Sequence, residues 1–517
     1  MSKLPLYLCA ALCLALASSC SGERFKEAEG AFVPESYASV LIRTREYGLG
    51  TRAQGDESKI GETDGYDEVG NLSVYVEDAA GKVTSHSWAK ADLIEVPDVG
   101  WRTPAFLTSY GTVKLYAVAN NAGQIKTALD AATTAQQLSD ALNSAYTLVG
   151  EDGFVLEDYA SFDGEYIEHI TMTGKSGAVQ VQPGVSQADA AAGLENCFRF
   201  SVERIVSKVA VTKDPALFPP GGGGGDVIQA SEVSLVNPVT GKPLARISNM
   251  RWTLLQYEKS GYPLPQSDAE NERKSPSFSY LPQTVYPSEQ KYSYALAQGS
   301  PYFLYDFTRS SDNEQNVQTI ASLADMYQVY VTETTHKFGT ALSTSGYRRG
   351  NTAFVLLTAF MSPEQESFAS EDEYYAYSSW DENAQLWYSL EESLFYSAEP
   401  ASYAADPSKW KKFTGGKIYW TVWLNPIGAS GLSAAGAFSS PVLRNRIYHI
   451  NVKKITGLGS PDPDPGDPDK PLQEEGNFIS VEINVLPWVV GSYDIDFGGA
   501  GVPFEPELPP PPGPPVN

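Results

Sequence analysis

The feature that most constrains the fold of this chain is an alternating segment near its C-terminal end, residues 478–497. Apolar side chains occupy every second position, which is the period of a half-buried β-strand. The first run consists of Ile479, Val481, Ile483 and Val485. Pro487 interrupts the ladder, and the alternation resumes at Tyr493, Ile495 and Phe497. The segment therefore predicts two short strands with a kink between them.

An acidic, proline-rich linker precedes this segment. Residues 460–471 read SPDPDPGDPDKP, a composition that neither packs nor pairs as a sheet. A strand on such a tether can pair away from its own fold. We therefore hypothesise that the segment completes the sheet of another copy of the same chain, which would make the molecule a polymer subunit and not an enzyme.

The size and charge of the chain limit the kinds of protein that it can be. Its 517 residues are enough for two or three domains with hydrophobic cores. The chain is 12% aromatic and only 19% charged, a balance typical of extracellular β-structure. The formal net charge of -26 disfavours nucleic acid or an anionic membrane face as a partner.

The N-terminal end predicts export. Lys3 provides a basic start, and the apolar run at residues 4–17 is too short for a stable membrane helix. Small residues then lead to Cys20, which is typical of a bacterial lipoprotein signal with Cys20 as the lipidated first residue. Simple secretion with cleavage nearby is the alternative. The lipid would be the only membrane anchor.

Cysteine usage agrees with this export route. Cys9 and Cys13 would leave with the signal and Cys20 would be acylated, so Cys197 remains as the only thiol of the mature chain. Its neighbours Phe198 and Phe200 favour a small core residue over a catalytic thiol.

A first strand is predicted at the sequence SYASVLIR, which starts at Ser36. Its alternation places Ala38, Val40 and Ile42 on one face. Arg43, Arg45 and Arg52 lie in or just after it, and a small polar run begins at Ala53. The segment is either a flexible stalk or a removable strand that ends in a trypsin-like processing site at an exposed position.

The rest of the chain is predicted to be mainly β. Strand patterns occur at residues 72–76, 112–118, 198–212, 231–257, 326–333, 352–360, 417–424 and 446–455. Between residues 122 and 145 the spacing changes to a helical one, carried by Ile125, Leu129, Leu138 and Leu142. We predict two β-sandwich domains in series with a few short helices. The predicted boundaries are 1–20 signal, 21–52 propeptide, 53–258 first domain, 259–460 second domain, 461–477 linker, 478–497 donor segment and 498–517 tail.

No pattern in the sequence predicts catalysis, a cofactor or a metal site. His86, His169, His336 and His449 lack zinc-site spacing, and neither HExxH nor GxSxG occurs. The glycine run at residues 221–225 lacks the following Lys-Ser or Lys-Thr of a phosphate loop. The linker aspartates lack the glutamate of an EF-hand. We expect His336 and His449 to be ordinary loop and strand side chains.

Two aromatic clusters remain. Trp420 and Trp423 are predicted to pack in a core. Residues 371–387 are acidic and tyrosine-rich, and are predicted to form an exposed insertion in which Tyr374, Tyr375 and Tyr377 could contact a glycan.

Four motifs carry a resemblance to a known family. They are RGNTAFV at 349–355, WLNP at 423–426, SPVLRNRIYHI at 440–450 and ISVEINVLPWVVGSY at 479–493. Together they resemble the type V pilus fimbrillins of Bacteroidales, specifically the shaft subunit of the minor (short) fimbriae. Residues 113–120, 202–211 and 250–252 match more loosely, so the resemblance covers nearly the whole chain.

The resemblance implies transthyretin-like sandwich domains and a defined maturation route. An exported lipoprotein precursor would be cut by an arginine-specific surface protease between Arg52 and Ala53, with Arg43 and Arg45 as alternative sites. Loss of the first strand would open a groove for the C-terminal segment of a neighbouring subunit. The implied donor residues are Ile479, Val481, Ile483, Val485, Trp488, Tyr493, Ile495 and Phe497.

The same resemblance implies partners and a position in the filament. Because both a removable strand and a donor are present, it implies a shaft subunit that joins anchor and tip proteins, contacts host or bacterial receptors, and supports adhesion and biofilm formation. The tail at residues 498–517 departs from the family, and its prolines favour polyproline II or disorder. The alternative is a monomeric surface lipoprotein that binds a host glycan or protein, with the C-terminal strand folded back into its own sheet.

Overall fold

A computed structural model describes most of the chain between Ser36 and Pro487. The described residues are 36–43, 69–97, 99–150, 155–162, 167–213, 233–237, 239–270, 272–279, 318–319, 328–337, 344–378, 381–424, 440–463, 469–470, 472 and 479–487. Several predicted site residues lie outside these ranges: Cys20, Arg45, Arg52, Ala53, Trp488, Tyr493, Ile495 and Phe497.

Thirteen described strands precede residue 205. They are β1 Ser36–Arg43, β2 Asn71–Asp78, β3 Val83–Ala89, β4 Ile94–Val96, β5 Gly100–Arg102, β6 Phe106–Thr108, β7 Gly111–Ala119, β8 Tyr146–Thr147, β9 Ser161–Phe162, β10 Ile167–Glu168, β11 Met172–Val181, β12 Cys197–Ser201 and β13 Glu203–Arg204. Three α-helices accompany them: α1 Gly123–Asp130, α2 Ala135–Asn143 and α3 Gln187–Ala192. A 3-10 helix covers Lys90–Asp92.

The remaining described strands follow residue 205. They are β14 Val206–Lys213, β15 Val233–Val236, β16 Pro243–Leu255, β17 Ser260–Gly261, β18 Gln318–Thr319, β19 Gln328–Thr332, β20 Phe354–Pro363, β21 Gln385–Ser389, β22 Phe395–Tyr396, β23 Trp410–Thr414, β24 Lys417–Trp423, β25 Arg446–Ile455 and β26 Ile479–Pro487. The helices are α4 Glu371–Ala376 and α5 Ala401–Ala405, with 3-10 helices at Gln365–Ser367 and Pro407–Lys409.

The first half forms a β-sandwich. One sheet has the order β12-β1-β5-β4, with β6 also paired to β1, and the other has the order β13-β11-β7-β2-β3. Alternate residues of β1, β2 and β7 point into one shared core, because side chains of a strand alternate between its two faces. This core accounts for the apolar residues at every second position of β1, β2 and β7.

Helices α1 and α2 pack on the far side of the second sheet. Ile125 and Leu129 of α1 and Leu138 and Leu142 of α2 are all buried, in the same core cluster as Tyr75 and Val118 of the sheet. Thr134 caps the N-terminus of α2 by accepting a hydrogen bond from the Gln137 N–H. The predicted helical stretch on the sheet is confirmed, with its apolar face toward the strands.

The second half forms another sandwich from a four-stranded and a five-stranded sheet. Their orders are β19-β14-β25-β26 and β15-β16-β20-β24, with β18 also paired to β16. Val209 and Val211 of β14 meet residues of β16, β20 and β24 in one core that includes the buried Trp420. The mainly β fold predicted from the alternation is confirmed, and so is the core position of Trp420.

The strand pairing places the crossing from the first sandwich to the second at a different position from the predicted boundary. The sequence predicted a boundary between residues 258 and 259, but β14, β15 and β16 all pair with strands of the second half. The crossing lies at the step from Arg204 in β13 to Val206 in β14. The alternating pattern of residues 198–212 runs through this step, so the sequence contains no break that marks it.

Two local predictions need correction. Residues 371–385 are exposed or half-buried where the structure describes them, as predicted, but Trp387 in β21 is buried, and the rings of Tyr374 and Tyr377 pack against Phe368 with centroids 5.4 and 6.0 Å away. Tyr374 lies in α4 and Tyr377 directly follows the helix, and both rings contact Phe368. Tyr375, at 72% exposure, is the tyrosine of the three that faces solvent.

Cys197 is the second correction. It is half-buried and not a core residue. Its partner in the pairing of β1 with β12 is Ser39, which faces helix α3 and not the sandwich core. Phe200, farther along β12, is buried in the core as its neighbours' pattern suggested.

The linker is attached to the second sandwich at the points that the structure describes. Ser460 exchanges two backbone hydrogen bonds with Tyr419, the Lys470 carbonyl accepts one from the Arg349 N–H at 2.9 Å, and Leu472 is buried. The prediction that this segment cannot pair is wrong at these positions. Within the described part of the chain, none of the helices combines the length and apolar character required to cross a membrane.

Candidate functional site: the slot of the first strand

Strand β1 lies inside its sheet and is paired on both edges. It runs parallel to β12 on one side, with Ser39 opposite Cys197 and Ile42 opposite Phe200. On the other side it is antiparallel to β5 and to β6. Removing β1 would therefore leave two unpaired strand edges facing each other across an open slot.

The inner face of β1 is part of the sandwich core. Ala38, Val40 and Ile42 are each at most 1% exposed and pack with residues of both sheets. The Val40 N–H donates to Thr103 Oγ1 at 3.0 Å, and the Val40 carbonyl accepts from the Thr103 N–H at 2.9 Å. The predicted face of this strand is confirmed, and the strand that we considered as a flexible stalk is an enclosed element of the fold.

The outer face of β1 is covered by helix α3 and the loops beside it. The buried Ser39 hydroxyl donates to the Ala190 carbonyl in α3 at 2.7 Å. At the start of the strand, Ser36 donates to the Gln182 carbonyl at 2.6 Å, and Asn196 Nδ2 donates to the Tyr37 carbonyl at 3.0 Å. The slot thus recognises small hydroxyl side chains as well as apolar ones.

The C-terminal strand β26 lies elsewhere, at the edge of the four-stranded sheet of the second sandwich. It pairs antiparallel with β25 from Arg446 opposite Pro487 to Ile455 opposite Ile479, with a register shift between Val452 and Lys454. Within this sheet β26 has one neighbour, whereas β1 has neighbours on both edges. The structure therefore does not bring the two predicted functional strands together in one chain.

A buried ion network lies just before β25. Glu333 contacts Arg444 at 3.3 Å and Arg273 at 3.0 Å, and Arg444 also donates to the carbonyls of Tyr262 and Pro263. Burial alone would raise the pKa of Glu333, but the two guanidinium groups hold it below its usual value. Desolvation raises the pKa of the fully buried Glu258 well above normal. The network joins three chain segments around the start of β25.

His336 and His449 each have a hydrogen-bonding partner within the fold. His336 Nε2 lies 2.8 Å from the Asn351 carbonyl, and His449 Nε2 lies 2.6 Å from Thr212 Oγ1. No group of His, Cys, Asp or Glu side chains suited to a metal ion occurs among the described residues. What the described residues of the site provide is strand pairing and burial.

Sequence reasoning identified the two strands but missed the residues that form the slot. Thr103, Ala190 and Asn196 come from three separate loops and helices that surround β1. Their role depends on contacts with residues 60 to 160 positions away, for which a single sequence carries no local signal.

The sequence is similar to those of fimbrial proteins. Residues 411–494 match the family model described as major fimbrial subunit protein type IV, fimbrillin, C-terminal. The chain is 27% identical over 487 residues to the minor fimbrium subunit Mfa1 of Porphyromonas gingivalis, covering 86% of this chain and 89% of that protein. A second Mfa1 from the same species is also 27% identical, with the same coverage.

Solved structures of fimbrial proteins are similar at lower identity. A fimbrilin (FimA) of Porphyromonas gingivalis aligns with 89% of this chain and 99% of its own at 14% identity, with a TM-score of 0.42. The tip fimbrial protein Mfa3 of the same species, with a C-terminal truncation, aligns with 88% of this chain and 100% of its own at 11% identity and a TM-score of 0.40.

The fold and the enclosed first strand define a β-sandwich protein. Its sequence is similar to the C-terminal model of fimbrillins at residues 411–494 and, over most of its length, to minor fimbrium subunits. The matched proteins are named as fimbrial subunits, which is a structural class and not an enzyme class.

Proposed function

We propose that this chain is a shaft subunit of a cell-surface fimbrium that polymerises by donor-strand exchange. An arginine-specific protease would remove the first strand, and the C-terminal segment of a neighbouring subunit would fill the vacated slot. The observation that carries this proposal is the position of β1, which is enclosed on both edges and followed by arginines. The relatives named as minor fimbrium subunits support the same function.

An empty slot would expose apolar side chains of the core to water, which is unfavourable. Val40, Leu41 and Ile42 are at most 5% exposed, and burial of each such side chain contributes about 1.5 to 3 kcal/mol. An empty slot would also leave backbone groups of β5 and β12 without their strand partner. A cleaved subunit therefore has a strong preference for a replacement strand.

Pairing geometry favours exchange in trans. In its own chain β26 pairs along one edge, with β25, whereas the slot of β1 offers a pairing edge on both sides. While β1 is covalently attached, its high effective concentration keeps competing strands out. Cleavage removes that advantage. Because the contact joins different surfaces of two subunits, it does not close and generates a filament.

The proposed maturation begins with export as a lipoprotein acylated at Cys20 in the outer membrane, and the lipid is lost with the first strand. The mature subunit joins anchor and tip proteins and supports adhesion and biofilm formation through host or bacterial receptors. The proposed cut follows Arg52, and Arg43 or Arg45 would release the same strand.

Limited digestion of the purified precursor with an arginine-specific protease tests the proposal. We expect a new N-terminus at Ala53, measured by intact mass, together with a ladder of multimers in size-exclusion chromatography with light scattering. Arg43→Lys/Arg45→Lys/Arg52→Lys preserves the charge but removes all three candidate cleavage sites, so this variant should keep its first strand and remain monomeric, whereas Arg52→Lys alone should give no new N-terminus at Ala53. Arg43→Lys and Arg45→Lys are the matched controls that should behave as wild type. A complete cut that leaves only monomers contradicts the exchange mechanism.

A second candidate is supported by the position of β26. This strand pairs with β25 of its own chain, as expected for a monomeric surface lipoprotein that binds a host glycan or protein. In that case the C-terminal strand is a permanent part of the second sandwich, and cleavage of the first strand produces no multimers.

A further inference from the structure

Strand β1, which occupies the slot, and strand β26, which is proposed to replace it, contain similar four-residue sequences. Residues 39–42 read Ser-Val-Leu-Ile, and residues 480–483 read Ser-Val-Glu-Ile. In the slot, Ser39 donates to the Ala190 carbonyl, and Val40 and Ile42 fill the sandwich core. At the matching positions, β26 has the same three residue types, namely Ser480, Val481 and Ile483. The position that differs is Leu41, which corresponds to Glu482.

Leu41 lies between two arginines. It is opposite Arg102 on β5 and opposite Arg199 on β12, and opposed residues of paired strands share a face. Arg102 donates from Nη1 to the Ala192 carbonyl at the end of α3, and its buried Nε has no hydrogen-bond acceptor among the described residues. The leucine offers these cationic groups no acceptor.

We propose that Glu482 of a neighbouring copy takes the place of Leu41 and pairs with Arg102 and Arg199. The donor then runs parallel to β12, with Ser480, Val481 and Ile483 at the positions of Ser39, Val40 and Ile42. This inference rests on the proposed function and specifies the register of the exchange. A carboxylate held by two guanidinium groups forms charge-assisted hydrogen bonds that leucine cannot form.

Charge also favours the donor over the resident strand. Arg43 is on the same face as Leu41, two residues along β1. The exchange replaces Leu41 by Glu482 and Arg43 by Asn484, so it adds a negative charge and removes a positive one beside Arg102 and Arg199. Strand β1 is therefore a poorer electrostatic match for the slot than the donor strand of the next subunit.

The Ser39 position distinguishes β26 from the second alternating run. If Ile495 and Phe497 filled the places of Val40 and Ile42, Asp494 would take the place of Ser39. A carboxylate there would face the Ala190 carbonyl oxygen without a proton to donate, and a buried unsatisfied charge is costly. Ser480 supplies the required hydroxyl. At the Ala38 position the larger Ile479 requires the opposing Phe106 ring to move.

A disulfide reporter tests the register, because Cys197 lies directly opposite Ser39. Cys197 is the single free cysteine among the described residues. In the proposed register, Ser480→Cys places a thiol opposite Cys197 of the next subunit, at a separation that a disulfide spans. We expect the cleaved S480C chain to give covalent multimers under mild oxidation. Asn484→Cys is the matched control, since four residues along a strand place its thiol roughly 13 Å away.

The variants S480C/C197S, Glu482→Gln and Glu482→Lys complete the test. After cleavage, the S480C/C197S chain should polymerise without covalent links. We expect E482Q to slow multimer growth severalfold and E482K at least tenfold, and R102E/R199E acceptors should restore growth with E482K donors.

Each outcome separates the two claims. If cleaved wild-type chains form no multimers, both the proposed function and this register are wrong. If they form multimers but S480C gives no covalent product, or Asp494→Cys gives it instead, the register is wrong while strand exchange stands. Normal growth of E482K would overturn the role of the arginines.

Discussion

At the residue scale, β1 shows how a short alternating segment acquires two different chemical faces. Val40 and Ile42 are apolar and fully buried, as the two-residue period predicts. Ser39 is equally buried, but it is tolerated because its hydroxyl reaches the Ala190 carbonyl. The sequence predicted the apolar face correctly, whereas the buried hydroxyl could be recognised only from its partner in α3, 151 positions away.

His336 provides a residue-scale prediction of pH dependence. Burial lowers its pKa to about 4, while a free histidine titrates near 6.5. Because the folded-state pKa is the lower one, protonation favours the unfolded chain, and stability is lost as the pH falls from about 6.5 toward 4. The loss attributable to His336 by pH 4.5 is about 2 to 3 kcal/mol.

Urea unfolding of the uncleaved precursor at pH 7.5 and 4.5 measures this effect. His336→Gln keeps a donor for the Asn351 carbonyl but does not titrate, so its stability should fall less than that of the wild type over this interval. Equal losses in the two proteins would mean that other groups cause the pH dependence.

At the element scale, the start of β25 is held by the buried Glu333 network and not by β-pairing alone. Arg444 is completely buried and donates to Glu333 and to two backbone carbonyls. The network connects the residue that follows β19, the segment after β17 and the segment just before β25, the strand that pairs with β26. Its members are far apart in sequence, which is why sequence patterns predicted the strands but not their electrostatic connection.

We predict that Glu333→Gln destabilises the second sandwich by about 3 to 5 kcal/mol, because it leaves the buried Arg444 without a carboxylate partner. Denaturant midpoints of the precursor would measure the change. The control is Lys337→Ala, which removes an exposed ion pair with Glu270 and should cause no measurable shift. Similar midpoints for E333Q and the wild type would show that the network contributes little to stability.

At the scale of the whole molecule, the two strands of the proposed exchange lie near opposite ends of the chain and in different sandwiches. The slot lies in the first sandwich and β26 lies at the edge of the second. A subunit with an acceptor at one end and a donor at the other can extend a filament without limit. This arrangement is consistent with a shaft subunit.

Deletion of residues 478–517 distinguishes the shaft subunit from the monomeric binding protein. For the shaft subunit, we expect the truncated and cleaved chain to stay monomeric in light scattering and to form no filaments in electron microscopy. For a monomeric protein, the deletion removes an edge strand and lowers the melting temperature without changing the size. Filaments of the truncated chain would show that the donor lies elsewhere.

The sequence by itself determined the local features of this protein. The two-residue period defined β1 and β25 to the residue, and the helical spacing at residues 122–145 located α1 and α2, because both patterns depend on neighbouring side chains that share a face. The tertiary structure alone decided which strands pair. It moved the crossing between sandwiches to residues 204–206, enclosed β1 on both edges, and placed Arg102 and Arg199 beside Leu41. Pairing and burial depend on contacts between distant parts of the chain, and no local period encodes them.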